Sequence, residues 1–131
     1  MKILVTGSAG FIGFHLAKKL LELKHFVYSI DNINNYYDPA LKQARLNNLY
    51  LYRNFSFEKI DIAEKEELTK AFKTFKPEKV VHLAAQAGVR YSIENPYAYL
   101  DANLTGFLNI LELCRQNKIK GLIYASSSSV Y

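Results

Sequence analysis

KILVTGSAGFIGFHLAKKL, residues 2–20, is the stretch on which the fold turns. Its opening, KILVT at 2–6, is a short apolar strand candidate. From Phe11 the apolar set Ile12, Leu16, Leu20 and Leu23 recurs every three to four residues, which predicts a helix ending around Lys24. Between them Gly7, Gly10 and Gly13 stand three residues apart, with Phe11 and Ile12 inside the same loop. A strand, a glycine turn and a helix start suit a pyrophosphate. Gly7 lets the chain turn sharply, Gly10 lets backbone approach the phosphates, and Gly13 lets the helix pack against the sheet. The bare amides and the positive end of the helix dipole then face the negative charge. A glycine triplet by itself also serves as turn glycines plus a packing glycine. No Gly-Lys-Ser/Thr follows the last glycine, which disfavours ATP or GTP hydrolysis.

Outward from this loop, FVYSID at 26–31 is the next strand, and Asp31 closes it 18 residues beyond Gly13. An acid there can accept hydrogen bonds from both adenosine ribose hydroxyls and repels a 2'-phosphate, so NAD is favoured over NADP. The same aspartate can instead form a turn with Asn32. NINNYY leads into Asp38-Pro39, an N-cap followed by proline at the first helical position, and predicts a helix over 39–50. A third strand, 55–60, ends before Asp61, which can reach an adenine edge with Ile62 behind the ring, or can simply cap the helix expected at 64–75. That helix turns Leu68, Ala71, Phe72 and Phe75 inward and stops before Pro77.

KVVHLAA, 79–85, has the continuous apolar middle of a strand covered on both faces. Ala84, Ala85 and Gln86 end it, and small residues there permit close backbone approach to a dinucleotide; they are also ordinary core filler. His82, inside the strand, reads as a hydrogen-bonded core residue. The following loop carries Arg90 and Ser92, where a guanidinium can pair with phosphate or carboxylate oxygens or remain solvated. Asn95-Pro96 repeats the cap-then-proline signal and starts a helix to about 116, with Leu104, Phe107, Leu108, Leu111 and Cys114 in register. Within it, Asn103 needs a partner for its amide, one possibility being the backbone of a strand or loop beside the cofactor. Gly106 is explained by close packing against the first helix or the sheet edge. GLIYAS, 121–126, is the fifth strand, and the serines at 126–129 place at least one hydroxyl at the carboxyl edge, able to hydrogen-bond a substrate oxygen.

Strands alternating with helices give an α/β fold, a Rossmann-like doubly wound parallel sheet with helices on both faces. The sequence ends directly after the fifth strand, so residues 1–131 are expected to be an NAD-binding domain incomplete at its C-terminal side, with no substrate domain. The chain carries 22% charged residues and a formal charge of +5, but its lysines are scattered and form no basic stripe, which excludes nucleic acid as the expected partner. No apolar run has the length of a membrane span and no leader pattern opens the chain. Cys114 is the only cysteine and reads as a small buried hydrophobe of a cytoplasmic protein. No cluster has metal-ligand spacing.

Taken together, TGSAGFIG, DNINNYYD, HLAAQAGVRYSIENPYAYLDANLTGFLNILE and YASSSSVY resemble the N-terminal part of the extended short-chain dehydrogenase/reductases, in their nucleotide-sugar epimerase and dehydratase branch. DNINNYYDPALKQARL with AGVRYSIENPYAY is most similar to the UDP-glucuronate 4-epimerases. The resemblance implies bound NAD, transient oxidation at C4 of a UDP-sugar, and return of the hydride to the other face. It further implies that Gly7, Gly10, Phe11, Ile12 and Gly13 form the pyrophosphate loop, that Asp31, Asn32 and Asn35 lie at the adenosine ribose, and that Asp61 and Ile62 lie at adenine. Ala84, Ala85 and Gln86 would be the cofactor wall, and Asn103 the helix asparagine beside it. Ser127 would bind the C4 oxygen as the catalytic serine, and Arg90 and Ser92 would lie near the sugar and phosphates. Related dehydratases carry two acids where Ser128 and Ser129 stand, so dehydration is not expected. The Tyr-x-x-x-Lys pair that supplies the base falls beyond Tyr131, and the fragment alone is expected to be inactive. The resemblance also implies a homodimer built on the 96–116 helix. UDP-glucuronate decarboxylase, UDP-glucose or UDP-N-acetylglucosamine 4-epimerase, and a non-catalytic NAD-binding module remain as alternatives.

Overall fold

The computed structural model describes residues 1–127. Five parallel strands, β1 (Lys2–Thr6), β2 (Phe26–Asp31), β3 (Phe55–Lys59), β4 (Lys79–His82) and β5 (Gly121–Tyr124), form one sheet in the order β3-β2-β1-β4-β5. Alternate residues of β1 feed opposite faces, the period of two expected of a strand. Ile3 and Val5 join Ala17 and Leu21 of α1 (Phe11–Glu22) with Leu46 and Leu49 of α2 (Pro39–Leu49). Leu4 joins Leu68 and Phe72 of α3 (Lys65–Phe75) with Ile110 of α6 (Phe107–Gln116). The fully buried Phe72 contributes about 1.5–3 kcal/mol to the second core.

Asp38 accepts a hydrogen bond from the Ala40 amide at 2.9 Å ahead of Pro39, and Asn95 accepts one from Ala98 at 3.3 Å ahead of Pro96, so both caps form as expected. Three expectations differ. In α1 the inward residues are Gly13, Ala17 and Leu21 rather than the leucine stripe; glycine and alanine let the helix seat closer to the sheet than leucines would. β4 ends at His82, three residues before the expected Ala85: the Leu83 amide is shared between the Thr6 carbonyl at 3.3 Å and the Thr6 hydroxyl at 3.0 Å, and the Ala84 amide donates to that hydroxyl at 3.0 Å. With its partner strand finished, β5 ends at Tyr124.

The third difference is the helix expected from residue 96. It consists of α5 (Pro96–Tyr99), a π-helical segment (Leu100–Gly106) and α6, preceded by a short helix α4 (Val89–Glu94) where a loop was expected. Its inward side is Gly106, Ile110, Leu113 and Cys114, whereas Leu104, Leu108 and Leu111 face outward. Gly106 seats the Ile62 side chain, not the first helix or the sheet edge: a Cβ there would lie 2.5 Å from Ile62 Cγ1. Among the described residues no helix is long and apolar enough to cross a membrane.

Candidate functional site

The chain steps outward from β1 through β2 to β3 and then crosses back to β4 on the other side of β1, so the connections diverge above the carboxyl ends of β1 and β4, where ligands of such sheets bind. Two clefts open there, of about 420 and 540 Å³, and both are walled by residues 83–87. Gly7, with φ +76°, forms a turn bordering the first cleft: a Cβ on it would lie 2.8 Å from the Ala84 amide nitrogen. A Cβ on Gly13 would lie 2.1 Å from the Gly7 carbonyl oxygen, so Gly13 seats α1 against its own loop. Gly10 differs, since a Cβ would meet only that carbonyl, at 3.2 Å, and the residue borders the first cleft. No side chain caps α1, and its first turn holds no acid, which leaves its amides and dipole for an anion.

Asp31 is buried and ties two loops together, Oδ2 accepting from the Ala9 amide at 3.1 Å and Oδ1 from Ile33 at 2.8 Å. Both the turn and a position on the first cleft are therefore realised, and each oxygen keeps a second lone pair. Asn32 and Asn35 line the same cleft, as do Asp61 and Ile62. Asp61 caps a turn by accepting from Ala63 at 3.0 Å, while α3 has Glu64 at its N-cap; Ile62 is buried beneath Gly106. Phe11 and Ile12 are each 67% exposed on the first turn of α1.

Ala84, Ala85 and Gln86 border both clefts. Asn103 clamps Gln86 from the π-helical segment, accepting from its amide at 2.9 Å and donating to its carbonyl at 3.1 Å, which satisfies the amide that the sequence left open. The second cleft also holds His82, Tyr124 and Ser127. Ser128, Ser129 and Tyr131 lie outside the described residues. Arg90 and Ser92 sit on α4; Arg90 is exposed, and the Ser92 hydroxyl donates to the Val89 carbonyl, while their neighbour Tyr91 is the one that borders the first cleft.

His82 is a hydrogen-bonded core residue. The Thr6 hydroxyl accepts from two amides, so its single proton goes to His82 Nδ1 at 2.7 Å, leaving the ring proton on Nε2. Burial pushes this imidazole down to about 4, and it is neutral at physiological pH. Burial pushes the Cys114 thiol up to about 11.

Two features of the first cleft lay beyond the sequence reading, the contact of Tyr36 with Tyr91 and the burial of Lys42. Tyr36 and Tyr91 meet at 4.7 Å between ring centroids, beside Gly88. Lys42 is only 7% exposed. The signal for Lys42 was present, because it shares the inward stripe of α2 with Leu46 and Leu49 at helical spacing.

The sequence profile of the family described as GDP-mannose 4,6 dehydratase matches residues 4–131. Over all 131 residues the chain is 56% identical to the protein CapI of Staphylococcus aureus, covering 39% of its length. It is 48% identical to the UDP-glucuronate 4-epimerase of Thermodesulfobacterium geofontis, over 98% of this chain and 40% of that protein. Its fold superposes with a TM-score of 0.90 and 38% identity on the UDP-glucuronic acid 4-epimerase of Bacillus cereus in complex with UDP-glucuronic acid and NAD, covering 100% of this chain and 41% of that one. The chain thus spans about two-fifths of the length of the curated relatives it matches.

Proposed function

The chain belongs to the GDP-mannose 4,6 dehydratase family, in the extended short-chain dehydrogenase/reductases, and on that premise we propose that the full-length protein is an NAD-dependent UDP-glucuronate 4-epimerase. One observation carries this reading. The two clefts share the wall at 84–86, and one has Asp31 and the uncapped start of α1 while the other has Ser127. NAD fits the first of these: Gly10 borders it and leaves no side chain in the way of a pyrophosphate, and no side chain caps the start of α1 there. Asp31 still has lone pairs for the ribose hydroxyls, and Ile62 offers an apolar wall to adenine.

NAD, when bound, supplies the acceptor that takes a hydride from the sugar and returns it. The work of this chain's residues is to bind and orient. Ala84 and Ala85 keep the shared wall low, so that the reacting end can extend from the first cleft into the second. The Ser127 hydroxyl would donate to the C4 oxygen as it becomes a carbonyl. A serine hydroxyl does not ionise at working pH, so it holds that oxygen without taking its proton. We assign proton removal to a Tyr-x-x-x-Lys pair further along the full-length protein. Ser128 and Ser129 stand where dehydratases carry acids, and we therefore infer epimerisation without loss of water. We also infer that the full-length protein is a homodimer joined through the outward side of α6.

Full-length protein given UDP-glucuronate is expected to form UDP-galacturonate with no net NADH. Product analysis with UDP-glucose and UDP-N-acetylglucosamine alongside identifies the substrate, and a decarboxylated pentose product or no product from any of the three overturns the proposal.

A further inference from the structure

Lys42 is a buried ammonium whose direct partners are all neutral. Buried charges are ordinarily paired, yet among the described residues the one ion pair joins Arg115 to Glu112 at 2.7 Å. Lys42 Nζ instead donates to the Asn34 backbone carbonyl at 3.0 Å and to Asn34 Oδ1 at 2.8 Å. An ammonium can only donate, so it fixes which way the Asn34 amide points. Nδ2 of Asn34 must then donate onward, and it does, to Gln86 Oε1 at 3.4 Å. With its oxygen taken, Gln86 donates through Nε2 to the Ala87 carbonyl at 3.3 Å. The main chain of Gln86 is held on both sides by Asn103.

The result is a directional chain of hydrogen bonds across four elements: α2, the loop after β2, the exit of β4 and the π-helical segment. Lys42 and Asn34 border the first cleft, Asn103 borders the second, and Gln86 borders both. Reversing either amide, Asn34 or Gln86, would set donor against donor, which disfavours the reversed arrangement at the buried Lys42 and Gln86. We propose that Lys42 is a positioning residue that acts through Asn34 on Gln86, so that the geometry of the second cleft depends on what fills the first. An anionic or hydroxyl-rich ligand in the first cleft meets the charge of Lys42, and the orientation of Gln86 follows. The proposal rests on the functional reading above for the identity of that ligand.

The test uses hydrogen exchange on the full-length protein, with ADP as a probe that fills the first cleft alone. In the wild type and in Lys42→Arg, saturating ADP is expected to slow exchange at the Gln86 amide and at the amides of 103–106 by about tenfold. In Lys42→Met and in Gln86→Ala, with the ADP concentration raised until the first cleft is again saturated, this slowing should be lost. Gln86→Ala keeps the main-chain bonds to Asn103 and decides the matter alone if Lys42→Met does not fold. Equal slowing in the variants and the wild type overturns the relay, as does ADP binding to the wild type with no slowing. A wild-type protein that binds neither ADP nor NAD overturns the functional reading as well, which separates the two failures.

Discussion

Gly10 and Gly13 belong to one loop yet answer differently to an added methyl group. Gly10→Ala asks for a few tenths of an ångström from the Gly7 carbonyl, so its midpoint temperature should stay near the wild type while NAD affinity falls at least tenfold by calorimetry, about 1.4 kcal/mol or more. Gly13→Ala sets a Cβ 2.1 Å from the same carbonyl and should cost about 1–3 kcal/mol by denaturant unfolding, because α1 must move off its seat. His82 supplies a pH signature. Its folded pKa of about 4 lies below the ordinary 6.5, so the unfolded chain takes up the proton first as pH falls. Stability is therefore full above pH 6.5, declines between there and about pH 4, and loses nothing further to this group below that. In His82→Gln the part of the acid slope between those two values should disappear. Cys114, buried and with its thiol raised to about 11, should resist alkylation at neutral pH until the protein unfolds.

Among the elements, α2 depends on its start. Asp38→Ala removes the cap to Ala40 and should lower stability by about 1 kcal/mol in a thermal melt. That cap was legible because Asp followed by Pro has a local cause, as did the five strands and the breaks at Gly7 and Pro77. What the sequence did not disclose has non-local causes. At the end of β4 the Thr6 hydroxyl, reaching across from β1, shares the Leu83 amide with the Thr6 carbonyl and takes the Ala84 amide. Within the π-helical segment Asn103 meets the backbone of Gln86, and Ile62 fills the space above Gly106. Neither partner lies within a helix turn of the residue it affects, so no periodicity records it. In the site, the glycines and Asp31 were readable from spacing, whereas Lys42 was passed over as one of many scattered lysines although its register with Leu46 and Leu49 marked it as buried.

Across the whole molecule, Leu104 and Leu108 stand 65% and 58% exposed along one line of the π-helical segment and α6. If that line is the homodimer contact inferred above, Leu104→Glu combined with Leu108→Glu should convert the full-length protein to monomer by light scattering, with the unfolding midpoint of the isolated protomer little changed. Residues 1–131 alone should show no turnover, a result checked with the same product assay. The meeting of Gly7 with the Ala84 amide bears on how such a scaffold diversifies. Main chain meets main chain there, beside the wall that both hollows share, so exchanging side chains at the rims leaves the spacing of Gly7 and Ala84 unchanged, like a fixed ruler beneath interchangeable jaws.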